Sequence, residues 1–166
     1  LNHTDLKAAA NLISLMECTQ AAGALNHMDS DKAAAVLERT DIAAAGTILN
    51  KMDPKRAAYA MLHLDKEKAA AMMSHMDAET SCAVLANMEL LQAGGILWNM
   101  DRKTAGNVME FMDASKAGRI LGQRSGTEAA EMLCHVSNSK AADILSHMDE
   151  RMAAVILDQV EAHRGA

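Results

Sequence analysis

Aromatic residues are almost missing: the 166 residues include one Trp, one Tyr and one Phe. A core built without them must be aliphatic, and 14 methionines join the Leu, Ile, Val and Ala available for it. Proline occurs once, so little in the chain interrupts helix. The abundant Ala loses no side-chain entropy in a helix, which makes all-α the expected class. Cysteine is sparse and odd in number: Cys18, Cys82 and Cys134 have no C-x-x-C spacing. That argues against a disulfide framework and a zinc knuckle, and fits a reducing, cytoplasmic setting. No apolar run approaches the ~18 residues of a membrane span, so a soluble segment without a signal peptide is expected. An excess of basic charge is also missing. The net charge of -6 gives no footprint for nucleic acid or an anionic membrane. Phosphate loops, dinucleotide fingerprints and zinc-protease helices are absent as well, so no residue is nominated as catalytic and no enzyme is expected.

What is present is a repeat. Written in rows of twelve, the chain aligns throughout without a gap, with an acid or Ser opening each row, as at Asp41, Asp53, Asp65, Asp77 and Ser125. Counting that residue as position 0, Ala dominates at +4, and Ala, Gly or Cys stands at +5. Ile, Val or Met is common at +7, Leu or Met at +8 and Met at +11. Twelve residues at about 100° each turn an apolar stripe by roughly 120° per row, so a continuous helix could not keep these columns on one face. The helix must break in every row. Asp and Ser are N-cap residues, and Pro54 directly after Asp53 suits a helix start. Within a row, +4, +7, +8 and +11 share one helical face. The small pair at +4 and +5 lets backbones approach, and the larger residues fill the space between them. Helices of eight or nine residues, about 12–13 Å long, are marginal alone and must stack on one another. The expected architecture is one domain over residues 1–166, a solenoid of about thirteen short helices. The register runs into both ends, with Leu1 entering at +8 and "EAHRGA" opening another row at Glu161, so a longer parent chain is expected.

Rows such as "MDPKRAAYAMLHL" and "MDASKAGRILGQ" resemble the repeat of the intracellular N-terminal domain of MgtE-type magnesium transporters. A similar helical unit occurs in the flagellar motor switch protein FliG. The resemblance covers essentially the whole chain and implies a right-handed superhelix of short helices. In those transporters the domain is regulatory, and its acidic surface shares Mg²⁺ with a following regulatory module. Here the acids fall mainly at cap positions, where backbone amides need their oxygens, so no metal ligand is carried over and no cofactor is expected.

Four features stand out from the repeat. Six histidines, His3, His27, His63, His75, His135 and His147, occupy +10. They are read as last-turn side chains that bond free carbonyls, with metal binding by the adjacent pairs His63/His75 and His135/His147 as the lesser alternative. First-turn bases such as Lys32, Lys68 and Arg102 oppose the helix dipole and are expected to pair with neighbouring acids. Tyr59, Trp98 and Phe111 occupy columns that are otherwise polar or small, and Leu90 with Leu91 replaces the polar first turn in Trp98's row. These five residues are the candidate partner-binding set, with packing against a neighbouring turn as the other reading. Finally, Arg124 replaces the apolar +11 residue ahead of the capping box Ser125-Gly-Thr-Glu128, where either a looser stack with a hinge or simple drift of the repeat is anticipated. The expected function is a non-catalytic scaffold for protein–protein contact or self-assembly. The alternative is a Mg²⁺-responsive regulatory domain of a magnesium transporter.

Overall fold

The computed structural model describes residues 3–164, and Leu1 and Gly165 of the repeat register lie outside them. Thirteen helices and no strand are found among the described residues. One compact unit ends at Met88, and a second begins at Glu89.

The first unit contains α1 (His3–Leu15), α2 (Cys18–Asn26), α3 (Ser30–Leu37), α4 (Ile42–Leu49), α5 (Pro54–Met61), α6 (Lys66–Met73) and α7 (Ala78–Ala86). The second contains α8 (Leu90–Asn99), α9 (Arg102–Phe111), α10 (Ala114–Leu121), α11 (Gly126–Leu133), α12 (Asn138–Ser146) and α13 (Glu150–Arg164). The local cause of each break is the same. From Glu17 to Ser137 the row-opening residue is extended, with φ between -66 and -53 and ψ between 128 and 153. That residue redirects the chain, joined by an extended Met100 before α9 and an extended Met112 before α10. The preceding turn closes tightly, as where Met52 N–H donates to Leu49 O over 3.1 Å. Glu161 does not open a new helix as its register suggested: α13 continues through it. Glu is a helix former and a weaker cap than Asp or Ser, so the local sequence permits continuation there.

The main partner of a helix is the helix two rows along. In the first unit α1, α3, α5 and α7 form one series and α2, α4 and α6 another. In the second, α8, α10 and α12 form one series and α9, α11 and α13 the other. The small +4 column is fully buried from Ala21 to Ala129, and Ser81 is accommodated in it. The +8 column from Leu25 to Leu133 is likewise buried, and +11 residues such as Met52, Met88 and Met112 close the core. From α3 to α11 the helices thus bury the stripe their spacing encoded, whereas Leu12 and Met16 in the row of α1 and Leu157 in α13 are exposed, and dispersion between close-packed aliphatic groups takes the place of aromatic bulk.

Two interlocks join helices of separate rows, the first across two rows and the second across three. In the first, residue +5 receives the +10 residue of the later row. A Cβ at Gly46 would meet Met72 O and lie 2.6 Å from His75 Cβ, and one at Gly106 would lie 2.5 Å from His135 Cβ. No described residue has positive φ outside glycine, and no glycine has it either, so these glycines serve close approach and not an unusual backbone. In the second, residue +9 reaches 27 residues ahead to the start of a later helix. Asn26 Oδ1 accepts from Asp53 N–H at 3.1 Å, Asn50 Oδ1 accepts from Asp77 N–H at 2.8 Å, and Glu110 accepts from Ser137 N–H at 2.9 Å.

Candidate functional site

The five residues picked out as aromatic or apolar exceptions have different fates. Tyr59 stands alone in the first unit, on α5, half-exposed with the Lys55 ammonium 5.9 Å from its ring centroid. The other four lie on α8 and α9, which pack on each other in the second unit. Leu91 is 72% exposed and Phe111 54%, whereas Leu90 is half-buried. Trp98 is only 8% exposed, so it is no free surface anchor.

What covers Trp98 is charge. The Arg102 guanidinium lies 5.3 Å from the indole centroid and the Arg124 guanidinium 5.6 Å from it. Two carboxylates of α11 stand behind them: Arg102 Nε is 3.6 Å from Glu131 Oε2, and Arg124 Nη1 is 3.6 Å from Glu128 Oε1. Arg102 Nη1 also donates to Trp98 O over 3.4 Å. Arg124 was anticipated to loosen the stack because it interrupts the apolar +11 column. It instead lies over an aromatic ring, and the division between compact units falls at Met88 and Glu89, not here. The guanidinium's flat, weakly hydrated face suits this contact. Among the described residues the Trp98 indole N–H is a buried side-chain donor without an acceptor. The capping box expected from Ser125 to Glu128 is present, with Glu128 accepting from Ser125 N–H at 3.3 Å and from its hydroxyl at 2.9 Å. Those bonds, the hydroxyl first, hold the Glu128 carboxyl below its ordinary value, and the charges of Arg124 and Arg102 act in the same direction. Sequence reasoning passed over Arg102, Glu128 and Glu131 as partners of Trp98. The available signal was coincidence: Trp98 departs from the +9 column, and Arg124 departs from +11 just before the position 27 residues ahead, Ser125.

The acids are divided in their roles. Asp41, Asp53, Asp101, Asp113, Ser125, Ser137 and Asp149 accept from backbone amides of their own helices. Glu17, Asp29, Asp65, Asp77 and Glu89 make no such bond. The idea that backbone amides occupy the acids as a group is therefore corrected. Asp29 pairs with Lys32 at 2.7 Å and Asp77 accepts from Asn50 Nδ2 at 2.6 Å, because a nearer donor competes with the helix amides. First-turn bases also find acids of distant rows, Lys68 with Glu38 three rows back at 3.6 Å and Arg102 with Glu131 two rows ahead at 3.6 Å.

In the +10 column, Arg39, Asn87, Asn99 and His147 bond the carbonyl four residues back, at 2.9, 2.9, 2.6 and 2.9 Å. Last-turn capping thus operates in several rows. Histidines in successive rows do not lie on principal packing partners, since stacking skips a row. Among the described residues no group of three or more His, Cys, Asp or Glu is placed to hold a metal ion. An open cleft of about 320 Å³ in the second unit is lined by Arg102, Glu131, Cys134, His135 and His163, and one of about 280 Å³ by residues including Gly118, Arg119, His147 and Asp149. No described helix is long and apolar enough to cross a membrane.

No curated protein and no solved structure matches the chain. The family model for the MgtE intracellular N domain matches residues 1–64 and 82–166. With helices of the expected length, repeat and stacking behind that match, the chain belongs to the MgtE intracellular N domain family.

Proposed function

We propose that the chain is a non-catalytic, cytoplasmic helical-repeat module that acts by contact with another protein or with its own copies. The observation that supports this most directly is the contrast between columns. In the inner rows the repeated apolar positions are consumed by packing, with Leu12, Met16 and Leu157 of the end rows left exposed, while Leu91 and Phe111 stand 72% and 54% exposed at positions that packing does not require. Large apolar side chains of that kind are the usual anchors of an interface. Replacing Leu91 and Phe111 together by Ser tests the reading. Light scattering across a concentration series, together with crosslinking in a cell extract, should show weaker association at unchanged melting temperature. Association identical to that of the unaltered protein would remove the scaffold reading.

A second reading, a Mg²⁺-responsive regulatory domain of a magnesium transporter, draws support from the family membership and from the acids that leave their helix amides unbonded. With a net charge of -6, such acids would gather divalent cations along the surface without a preformed cage. Millimolar Mg²⁺ should then raise the melting temperature more than NaCl of equal ionic strength does. Equal effects of the two salts would sink this reading and leave the first untouched.

A further inference from the structure

Trp98 occupies the +9 column, where Asn26, Asn50 and Glu110 form hydrogen-bonded interlocks. Around it the other columns have changed too, with Arg124 at +11 and Ser125 capped by its own Glu128. A hydrogen-bonded tie has thus been replaced by an electrostatic one. We propose that Arg102, Arg124, Glu128 and Glu131 form a charge cage that holds Trp98 covered, and that the cage opens when its carboxylates are neutralised, exposing the indole while the helices persist.

Three observations carry this. Two guanidiniums share one indole, at 5.3 and 5.6 Å from its centroid, and each has a carboxylate of α11 at 3.6 Å. Without those carboxylates the ring would hold two cations with nothing to offset their repulsion, and a cation–π contact at a half-exposed guanidinium is modest. The covered state also leaves the indole N–H without an acceptor, so no hydrogen bond of that donor resists opening, and water would supply one outside. Finally, the four charged side chains are partly exposed, so neither protons nor salt are kept from them.

The charged surroundings point the same way. α8 carries no charged residue of its own, and α10, packed on it, has Lys116 and Arg119, of which Arg119 lines the other cleft. α9 supplies Arg102 and Lys103 near this end, and Glu110 at its far end is bonded to Ser137. Cys134, His135 and His163 share the cleft with Arg102 and Glu131. The Glu128 carboxyl is held below its ordinary value in the folded state, so the stability it contributes is present above its unfolded value and is lost as pH falls through the folded one.

The chain's single Trp reports on the cage alone. Acidification from neutral pH to about 3.5 should shift its emission to the red and raise acrylamide quenching by roughly twofold while far-UV circular dichroism retains the helices. Glu128→Gln with Glu131→Gln should show the exposed spectrum already at neutral pH. Arg124→Met, which restores the residue type most rows have there, should abolish the acid response in a protein that still melts cooperatively. The proposal is overturned if the emission moves only together with helix loss, if the double Gln variant keeps the original spectrum, or if Arg124→Met keeps the original response.

Discussion

Asn50 in the first unit and Trp98 in the second hold the same place in the repeat, yet they secure their helices by different means. Asn50 exchanges two hydrogen bonds with Asp77, at 2.6 and 2.8 Å, and caps a helix start directly. Trp98 caps nothing, and is covered by two arginines that are themselves tied to α11. A position that looks variable in the repeat is therefore structural in both cases. The first solution is local and directional and the second spreads over five side chains.

The largest test of that contrast is truncation. Trp98→Ala removes a buried ring and should cost about 3–5 kcal/mol in urea unfolding, whereas Asn50→Ala should cost about 1 kcal/mol. Similar losses at the two positions would erase the distinction.

A smaller effect separates two glycines of the +5 column. Gly46→Ala drives a methyl against Met72 O and His75 Cβ, neither of which is the end of a flexible side chain, so a loss of about 1–3 kcal/mol is expected. At Gly94 the nearest atom to an added methyl would be Gln123 Oε1, at 2.7 Å, and that side chain can swing away. Gly94→Ala should then be neutral or gain up to about 1 kcal/mol from helix propensity, as read by thermal denaturation. Equal losses at both would show that the Gln123 side chain is held as firmly beside Gly94 as His75 is beside Gly46.

How much of this was legible follows from what each residue answers to. Ala57, Met61 and their equivalents were readable because burial of a helical stripe repeats with the chain's own period. The breaks at the inner rows were readable because Asp and Ser favour helix starts and the register forbids a continuous helix, whereas Asp5 and Glu161 lie within α1 and α13. The capping of Asp53 by its own side chain, accepting from Arg56 N–H at 3.0 Å, needed nothing beyond neighbours in sequence. Asp77 was not readable in the same way. Its side chain is drawn to Asn50, 27 residues earlier, and only the placement of the two helices brings them together.

The sequence by itself determined a helical repeat: where helices begin, which face each buries and why none stands alone, because these depend on spacing and local backbone chemistry. Only the tertiary structure decided that helices stack on the second neighbour, that residues 27 apart complete each other's caps, and that Trp98 is covered while Phe111 is not. Those outcomes depend on which side chains meet across separate helices, and a one-dimensional period gives their columns without giving their partners.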